Sequence, residues 1–372
     1  MQRAFLIIIG MIICISLINN DVQSQEHTIP TFSYKGILKR LTTNGMNKSP
    51  KWISNNLVSY VHITGTRVET LVAKRFETSI ETVYNEVYQG DLEIVNINIG
   101  NRQNLRNIGL SRIEEYAWLD GGKKIIFVQN GKLWLMNIED KTRQFLANKM
   151  AVEISVSPDE SKAAFVAEVE LHKYELYVVD LHHNRVQKVK LPVAALISDL
   201  QWISNNEIVY TLGEFEEGWC DCIKQPARLW YTDLNKTTSR QISFTDAWLC
   251  DHSPCISLDK KTIAFACCKE KSDLWLMDVY GKNLTRVTHN KGVNPIGWLS
   301  YNELLLVNDW GTELWIVNLE KETFVKVLSC CAPLWTKVLE SISISPDKSK
   351  ALFIYTTPSG SYGDVWMLEW KK

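Results

Sequence analysis

Residues Asp273 to Thr288 read DLWLMDVYGKNLTRVT, and this stretch decides the fold. A short apolar, aromatic-rich run from Leu274 ends at Asp278, Tyr280-Gly281-Lys282-Asn283 supplies turn chemistry, and Leu284 to Thr288 resumes with β-branched residues. That is a strand, a tight turn and a second strand. The first half recurs as Leu92-Glu-Ile-Val-Asn96, Leu133-Trp-Leu-Met-Asn137, Leu176-Tyr-Val-Val-Asp180, Leu229-Trp-Tyr-Thr-Asp233, Leu314-Trp-Ile-Val-Asn318 and Val365-Trp-Met-Leu-Glu369. With Leu274 this makes seven copies, spaced 40 to 53 residues apart. Such a period matches a four-stranded propeller blade and not a helical repeat.

The two ends of the chain complete each other. Gly36 to Thr42, GILKRLT, looks like the second half of the hairpin, compare Asn283-Leu-Thr-Arg-Val-Thr288, yet no first half precedes it. Val365 to Trp370 is a first half with nothing after it to pair with. The expectation is an all-β, seven-bladed β-propeller of four-stranded antiparallel blades over residues 36–372, with residues 36 to 42 as the outermost strand of the last blade. Closure of this kind removes two open sheet edges. The alternative is an incomplete blade left open.

An inner pair of strands precedes each hairpin, and its marker comes in two kinds. Lys51-Trp-Ile-Ser-Asn-Asn-Leu-Val-Ser-Tyr60 and Gln201-Trp-Ile-Ser-Asn-Asn-Glu-Ile-Val-Tyr210 are nearly one peptide, and Trp118 and Trp298 continue the set. The other kind is Ser157-Pro158-Asp159 and Ser345-Pro346-Asp347, with the variant Ser257-Leu258-Asp259, each followed by an apolar strand. Pro after Ser pre-sets a turn and Asp bonds the backbone two residues on, so these read as turn devices and not as catalytic groups.

Ser-Pro-Asp, an apolar strand, Leu-Trp-x-Met-Asp, a Gly turn and Arg-Val-Thr together resemble the repeat of TolB-type β-propellers, seen also in the N-terminal propellers of dipeptidyl-peptidase IV-like enzymes. The resemblance covers residues 36 to 370 and is specific for fold, since several blades match at the correct spacing, and weak for function, because the matching positions are structural. It implies binding of a protein or peptide at one face or the central channel, often in the periplasm. Two departures stand out: Gln25 to Lys35 is too short for the extra N-terminal domain of TolB, and no peptidase domain is expected after Trp370.

The composition, 45% hydrophobic and 22% charged, allows a large core, and the repeat leaves no room for a second domain. Lys plus Arg number 41 and Asp plus Glu 42, so no electrostatic footprint for nucleic acid or anionic lipid is present. Arg3, the apolar run Ala4 to Ile18, polar Asn19-Asn20-Asp21 and Val22-Gln23-Ser24 have the layout of a secretory signal peptide over residues 1–24, with 25–35 a short N-terminal segment. The run is short for a membrane span, and Cys14 lacks the small residue expected before a lipoprotein cysteine. The expectation is a monomeric, periplasmic or extracellular product without an integral membrane span; an uncleaved anchor is the alternative. The longest insertion, His62 to Gly90, suits a β-hairpin arm, a lid, a helix through Val72, Phe76 and Ile80, or a disordered loop.

Catalytic signatures are sparse. Ser359-Gly360-Ser361-Tyr362-Gly363 narrowly misses the nucleophile elbow, and the last histidine, His289, precedes it, which excludes the α/β-hydrolase order. No phosphate loop and no His-Glu-x-x-His occur. His182-His183 falls in a turn, and His27, His62, His172 and His289 stand alone. No cofactor, metal or catalytic residue is assigned. The functional expectation is a non-enzymatic binding scaffold for a protein or peptide at the loop-rich face; the enzyme alternative is a metal-dependent polysaccharide lyase-like propeller.

Beyond Cys14 there are eight cysteines: Cys220, Cys222, Cys250, Cys255, Cys267, Cys268, Cys330 and Cys331. An even number in an exported chain suggests disulfides, whose connectivity spacing cannot give. Strand direction places all eight at the face of second-to-third loops and blade-to-blade connections, where each closed loop is worth roughly 2 to 4 kcal/mol. Buried free thiols are the alternative, and a ligand set of Cys220, Cys222, Cys250, His252 and Cys255 is the minor one.

Overall fold

The structure is a computed structural model describing residues 32–370 apart from 76–78, 171–172, 193–195, 216–222, 246–249, 269, 331–337 and 357–361; at 69–75, 79–85, 214–215 and 223–225 it describes the backbone only. The expected signal segment lies outside the described residues. Two strands open the described part of the chain, β1 (Phe32–Tyr34) and β2 (Ile37–Arg40). Antiparallel meanders of four follow. They are β3 (Asn47–Trp52), β4 (Leu57–Arg75), β5 (Ser79–Asn96) and β6 (Arg102–Asn104); β7 (Ile113–Leu119), β8 (Lys124–Gln129), β9 (Lys132–Asn137) and β10 (Arg143–Ala147); β11 (Ala151–Val156), β12 (Lys162–Glu170), β13 (Lys173–Asp180) and β14 (Arg185–Lys188). Next come β15 (Leu196–Ser204), β16 (Glu207–Phe215), β17 (Ile223–Asp233) and β18 (Thr238–Gln241); β19 (Cys250–Ile256), β20 (Thr262–Cys268), β21 (Ser272–Asp278) and β22 (Thr285–Arg286); β23 (Val293–Trp298), β24 (Glu303–Asn308), β25 (Glu313–Asn318) and β26 (Thr323–Cys330). Last stand β27 (Leu339–Ile344), β28 (Lys350–Thr356) and β29 (Gly363–Glu369). By hydrogen bonding they form four sheets, none closed on itself, because neighbouring meanders share at most single bridges such as Gly363 with Asn47.

The hairpin turn that recurs in the sequence is built by its Asp or Asn. Asp278 Oδ1 accepts the amides of Tyr280 and Lys282 at 2.9 Å each, and Asn137 and Asp180 do the same for Glu139 and His182, at 2.9 Å each. Gly281 has φ +85°, and a Cβ there would stand 2.3 Å from the Ile242 carbonyl oxygen, so only glycine fits. The second strands read as unbroken apolar runs because both of their faces are covered. Phe127, Phe165, Phe265 and Phe353 sit at their centres with no exposed surface.

Apolar clusters fill the boundaries between successive meanders. Phe165 and Tyr177 meet Val128 and Leu133 across one, and Phe265 and Met277 meet Val209 and Leu229 across another. The last meander meets the first in the same way, with Leu352, Ile354, Val365 and Met367 packed on Val58, Tyr60 and Val95.

The two marker peptides turn out to be halves of one joint. Trp202 Nε1 donates to the Ser155 carbonyl of the preceding meander at 3.1 Å, Trp298 to Cys255 at 3.0 Å and Trp52 to Ser343 at 3.2 Å. Asn205 Oδ1 accepts the Asp159 amide at 3.2 Å, and Asn55 Oδ1 the Asp347 amide at 3.0 Å. The Ser-Pro-Asp turn is held from within as expected, Ser157 Oγ donating to Asp159 Oδ1 at 2.7 Å and the Ser161 amide to the same oxygen at 3.0 Å. Each Trp-Ile-Ser-Asn-Asn turn therefore docks on a Ser-Pro-Asp turn, which is why the two kinds sit on adjacent repeats.

The N-terminal and C-terminal halves also meet. β2 pairs antiparallel with β29, Ile37 opposite Glu369 and Arg40 opposite Trp366. Gly36, at φ +122°, lies so close to the Glu369 carbonyl that a Cβ would stand 2.0 Å away. Asp364 accepts from Arg40 Nε at 3.1 Å, Thr42 Oγ1 at 3.1 Å and the Gly45 amide at 3.0 Å. Asp273 does the same for Arg286 Nη2 at 2.6 Å and Thr288 Oγ1 at 2.8 Å, so the two ends rebuild the cluster found inside the continuous hairpin.

Two features go beyond the sequence reading. β1, within the short N-terminal segment 25–35, pairs with β26 as a fifth strand of that sheet, and Phe32 packs on Phe353, Tyr355 and Trp366. The long insertion is a two-stranded ribbon, with β4 and β5 paired from Leu57 opposite Asn96 out to Arg75 opposite Ser79. Of the four alternatives for this insertion, the hairpin arm is the one formed.

Candidate functional site

In all of the first strands β3, β7, β11, β15, β19, β23 and β27 the ladder to the second strand slips register. Ser49, Asp199, Ser253 and Ser341 take positive φ at these bulges. Bulges re-aim side chains, and here they link polar groups of neighbouring meanders. Lys51 Nζ reaches Glu115 Oε1 at 2.5 Å, the Leu200 amide donates to Glu153 Oε1 at 2.7 Å, and the Ser253 amide donates to Asp199 Oδ2 at 3.2 Å. Burial pushes the Glu153 carboxyl up to about 7 against the pull of the Leu200 amide, with the charges of Asp199 and Glu115 adding to the rise. Lys48, whose Nζ donates to the Glu114 carbonyl at 2.7 Å, is pushed down by burial in spite of Glu115 and Glu114.

A cleft of about 650 Å³ opens between the meander β19–β22 and the meander β23–β26, a size suited to a ligand side chain or short segment. Its apolar wall is Trp310, Trp315 and Phe324, and its polar wall includes His252, Cys268 and Asp309. Trp310 is 53% exposed, unusual for so large an apolar ring. Asp309 is held by the Ser272 amide at 3.1 Å and Asn294 Nδ2 at 3.0 Å. Glu313 accepts from Trp315 Nε1 at 3.0 Å, and the Lys326 ammonium lies 4.9 Å from the Trp315 ring centre. The cleft thus offers aromatic surface beside charged groups already held by hydrogen bonds, which lowers the ordering cost of binding.

Of the eight candidate cysteines, Cys220, Cys222 and Cys331 lie outside the described residues. Cys250 opens β19, Cys268 closes β20, and the two stand directly opposite each other across the ladder. Cys330 closes β26, at the same end of its meander, and its thiol donates to the Thr312 carbonyl at 3.3 Å. Cys255 differs from the one-face expectation. It lies five residues along β19 from Cys250; the strand bulges between them, and their ladder partners Cys268 and Ala264 are four residues apart, about 13 Å in an extended strand, too far for those two to be bridged. Cys255 and Cys267 are buried in apolar clusters on opposite sides of the meander, and burial pushes the Cys255 thiol up to about 12. Among the described residues no three His, Cys, Asp or Glu side chains gather as a metal site, so His252 and the described cysteines do not form the ligand set considered for them. His183 lies exposed in its turn, its ring bonded to Asp180 at 3.0 Å. What sequence reasoning missed is the Trp310 cleft, whose wall comes from strands and turns of two different repeats.

No family model and no curated protein matches the chain. Solved structures do. The β-propeller domain of the Trilobed protease from Pyrococcus furiosus matches at TM-score 0.55 and 14% identity, covering 93% of this chain and 97% of that one. An oligogalacturonate lyase in complex with manganese matches at TM-score 0.57 and 10% identity, covering 91% and 99%. Dipeptidyl peptidase 4 from Porphyromonas gingivalis matches at TM-score 0.51 and 10% identity, covering 89% of this chain and 57% of that one. TolB from Acinetobacter baumannii is also among the neighbours, at TM-score 0.43 and 14% identity, where the match covers 73% of this chain and 64% of TolB. The fold is the β-propeller, as the repeat indicated, and the neighbours above a TM-score of 0.5 include a dipeptidyl peptidase 4, from one of the groups that the repeat resembles. Among the described residues, no helix is long and apolar enough to cross a membrane.

Proposed function

We propose that this chain is an exported, monomeric, seven-bladed propeller, closed by β2 against β29, which binds a protein or peptide segment through the face carrying the Trp310 cleft. The cluster joining Val58 and Tyr60 to Leu352 and Ile354, and the rebuilt Asp364–Arg40–Thr42 cluster, support a closed ring. Export rests on the signal-like layout of residues 1–24. The observation that carries binding is the cleft itself, an exposed tryptophan with Trp315 and Phe324 beside preset charges at a boundary between two repeats. Propellers keep the scaffold neutral and place function in such grafted surfaces.

The full-length likeness to the lyase keeps a polysaccharide-cleaving reading as the alternative, although the described residues assemble no metal ligand set for it. A photo-crosslinker placed at Trp310 and exposed to the exported fraction should yield one protein or peptide adduct. The adduct should be lost in Phe324→Ala and retained in Phe145→Ala, a change remote from the cleft. Turnover of uronate-rich polysaccharide without any adduct would overturn the binding reading in favour of the lyase.

A further inference from the structure

We propose that Cys250 and Cys268 form a reactive dithiol that exchanges with disulfides entering the Trp310 cleft, Cys268 attacking and Cys250 resolving. The site is distinct from a static staple and does not depend on the binding reading, since its chemistry needs only a small disulfide. Three features of the structure combine here. The two residues face each other in register across β19 and β20. Cys268 lines the 650 Å³ cleft, whereas the cysteines Cys255 and Cys267 are buried in apolar clusters. Ser272 stands opposite Cys268 on β21 and donates its amide to Asp309 in the cleft at 3.1 Å.

The electrostatics divide the roles. The Cys250 thiol and Ser272 together hold the Cys268 thiolate, bringing it down to about 7 although burial and the charge of Asp309 oppose this. Cys250 is pushed up, first by the hydrogen bond it shares with Cys268, then by burial and by the charges of Cys268, Asp251 and Cys267. Other ionisable groups lining the cleft are His252, Glu270, Lys271, Lys291 and Glu313. A thiolate with a neutral neighbour waiting beside it is the arrangement of an attacking and a resolving cysteine.

The exchange balances as follows. The Cys268 thiolate attacks one sulfur of R–S–S–R, the S–S bond breaks, and the leaving R–S⁻ takes a proton from water. Cys250 then loses its proton to water and attacks the Cys268 sulfur, releasing the second R–S⁻. The dithiol is oxidised to a disulfide and R–S–S–R is reduced to two thiols. Opposed strand residues hold their Cβ atoms about 4.5 to 5.5 Å apart, whereas a relaxed disulfide wants about 3.8 Å. The bond formed draws the strands together and is correspondingly easy to reduce.

The test uses the full chain, reduced and freed of reductant, with oxidised glutathione as the disulfide. Wild type should lose two thiols and retain no glutathione, Cys250→Ser should trap one glutathione on Cys268, and Cys268→Ser should react no faster than Cys255 does in the wild type. At pH 7 a thiol at about 7 is half ionised, against roughly 3% for an ordinary one. After the accompanying loss of nucleophilicity this leaves about a threefold faster reaction than an ordinary exposed thiol. Peptide mapping of folded wild type after brief alkylation gives a readout free of variant misfolding, and Cys268 should label first among Cys250, Cys255, Cys267 and Cys268. A trapped adduct elsewhere, or equal labelling of the four, would overturn the proposal. Exchange that persists while the Trp310 adduct is absent would sink only the binding reading.

Discussion

Replacing Asp364 by alanine should loosen the junction between the two ends of the chain. Its side chain is 10% exposed and that of its partner Arg40 is 22% exposed, so the pair is largely shielded from water. The carboxylate also accepts from Thr42 Oγ1 at 3.1 Å and the Gly45 amide at 3.0 Å, and Thr42 Oγ1 in turn accepts the Val365 amide at 2.9 Å. Removing one member of a fully buried pair costs about 3 to 5 kcal/mol, because the other charge stays behind without a partner. The remaining exposure of Arg40 lets water recover part of that, which leaves about 3 kcal/mol. Asp364→Asn keeps the shape and some of the hydrogen bonds and should cost about 1 to 2 kcal/mol. Urea unfolding gives the loss, and a double-mutant cycle with Arg40→Ala isolates the pair. Limited trypsin digestion adds a spatial readout, since Lys35, Lys39 and Arg40 should become cleavable in the Asp364→Ala variant before the rest of the chain. An unchanged urea midpoint with a coupling energy under about 0.5 kcal/mol would refute the view that these contacts hold the ends together.

Three further outcomes are expected. Trp298→Phe removes the donor to the Cys255 carbonyl, 3.0 Å away and buried, and should cost about 1 to 2 kcal/mol in urea unfolding; no loss would mean the cross-repeat joint contributes nothing. Phe32→Ala takes a half-buried ring off Phe353, Tyr355 and Trp366 and should cost about 2 kcal/mol, with β1 becoming open to proteolysis, whereas wild-type resistance would show that β1 is dispensable. Glu153 has a folded-state value of about 7, above its ordinary 4.5, so the folded protein binds this proton more tightly than the unfolded chain does. Its stabilising contribution is full below pH 4.5 and is lost as pH rises to 7. Glu153→Gln should therefore gain about 1 to 2 kcal/mol over wild type at pH 8, the full shift being reduced because the side chain keeps some contact with water. Parallel pH curves for the two proteins would contradict this.

Local chemistry that repeats was readable from the chain. The Asp and Asn at the ends of the third strands, the Ser-Pro-Asp turns and the apolar second strands each act within a few residues of themselves, and the structure places them as their sequence indicates. The matching of Gly36–Thr42 to the second half of the hairpin was legible for the same reason. Arg40 and Thr42 carry the same side chains as Arg286 and Thr288, and Asp364 stands where Asp273 does. That the repeats carry two kinds of marker was visible, but the docking of one kind on the other was not, because an indole donating to a carbonyl some 45 residues away leaves no spacing signal.

What the sequence by itself determined is the period, and through it the fold: strands that bury both faces need neighbours on both sides, and equal units stacked in this way build a propeller. Only the tertiary structure decided which distant residues share a surface. Cys250 and Cys268 are 18 positions apart in the chain and yet opposed in the ladder, because β20 folds back along β19. Cys250 and Cys255 are near neighbours in sequence and are held apart along one strand in spite of the bulge between them. The Trp310 cleft is assembled across a boundary between two repeats. Side chains there are selected by what lies opposite in space, and a linear pattern records only what lies alongside in the chain.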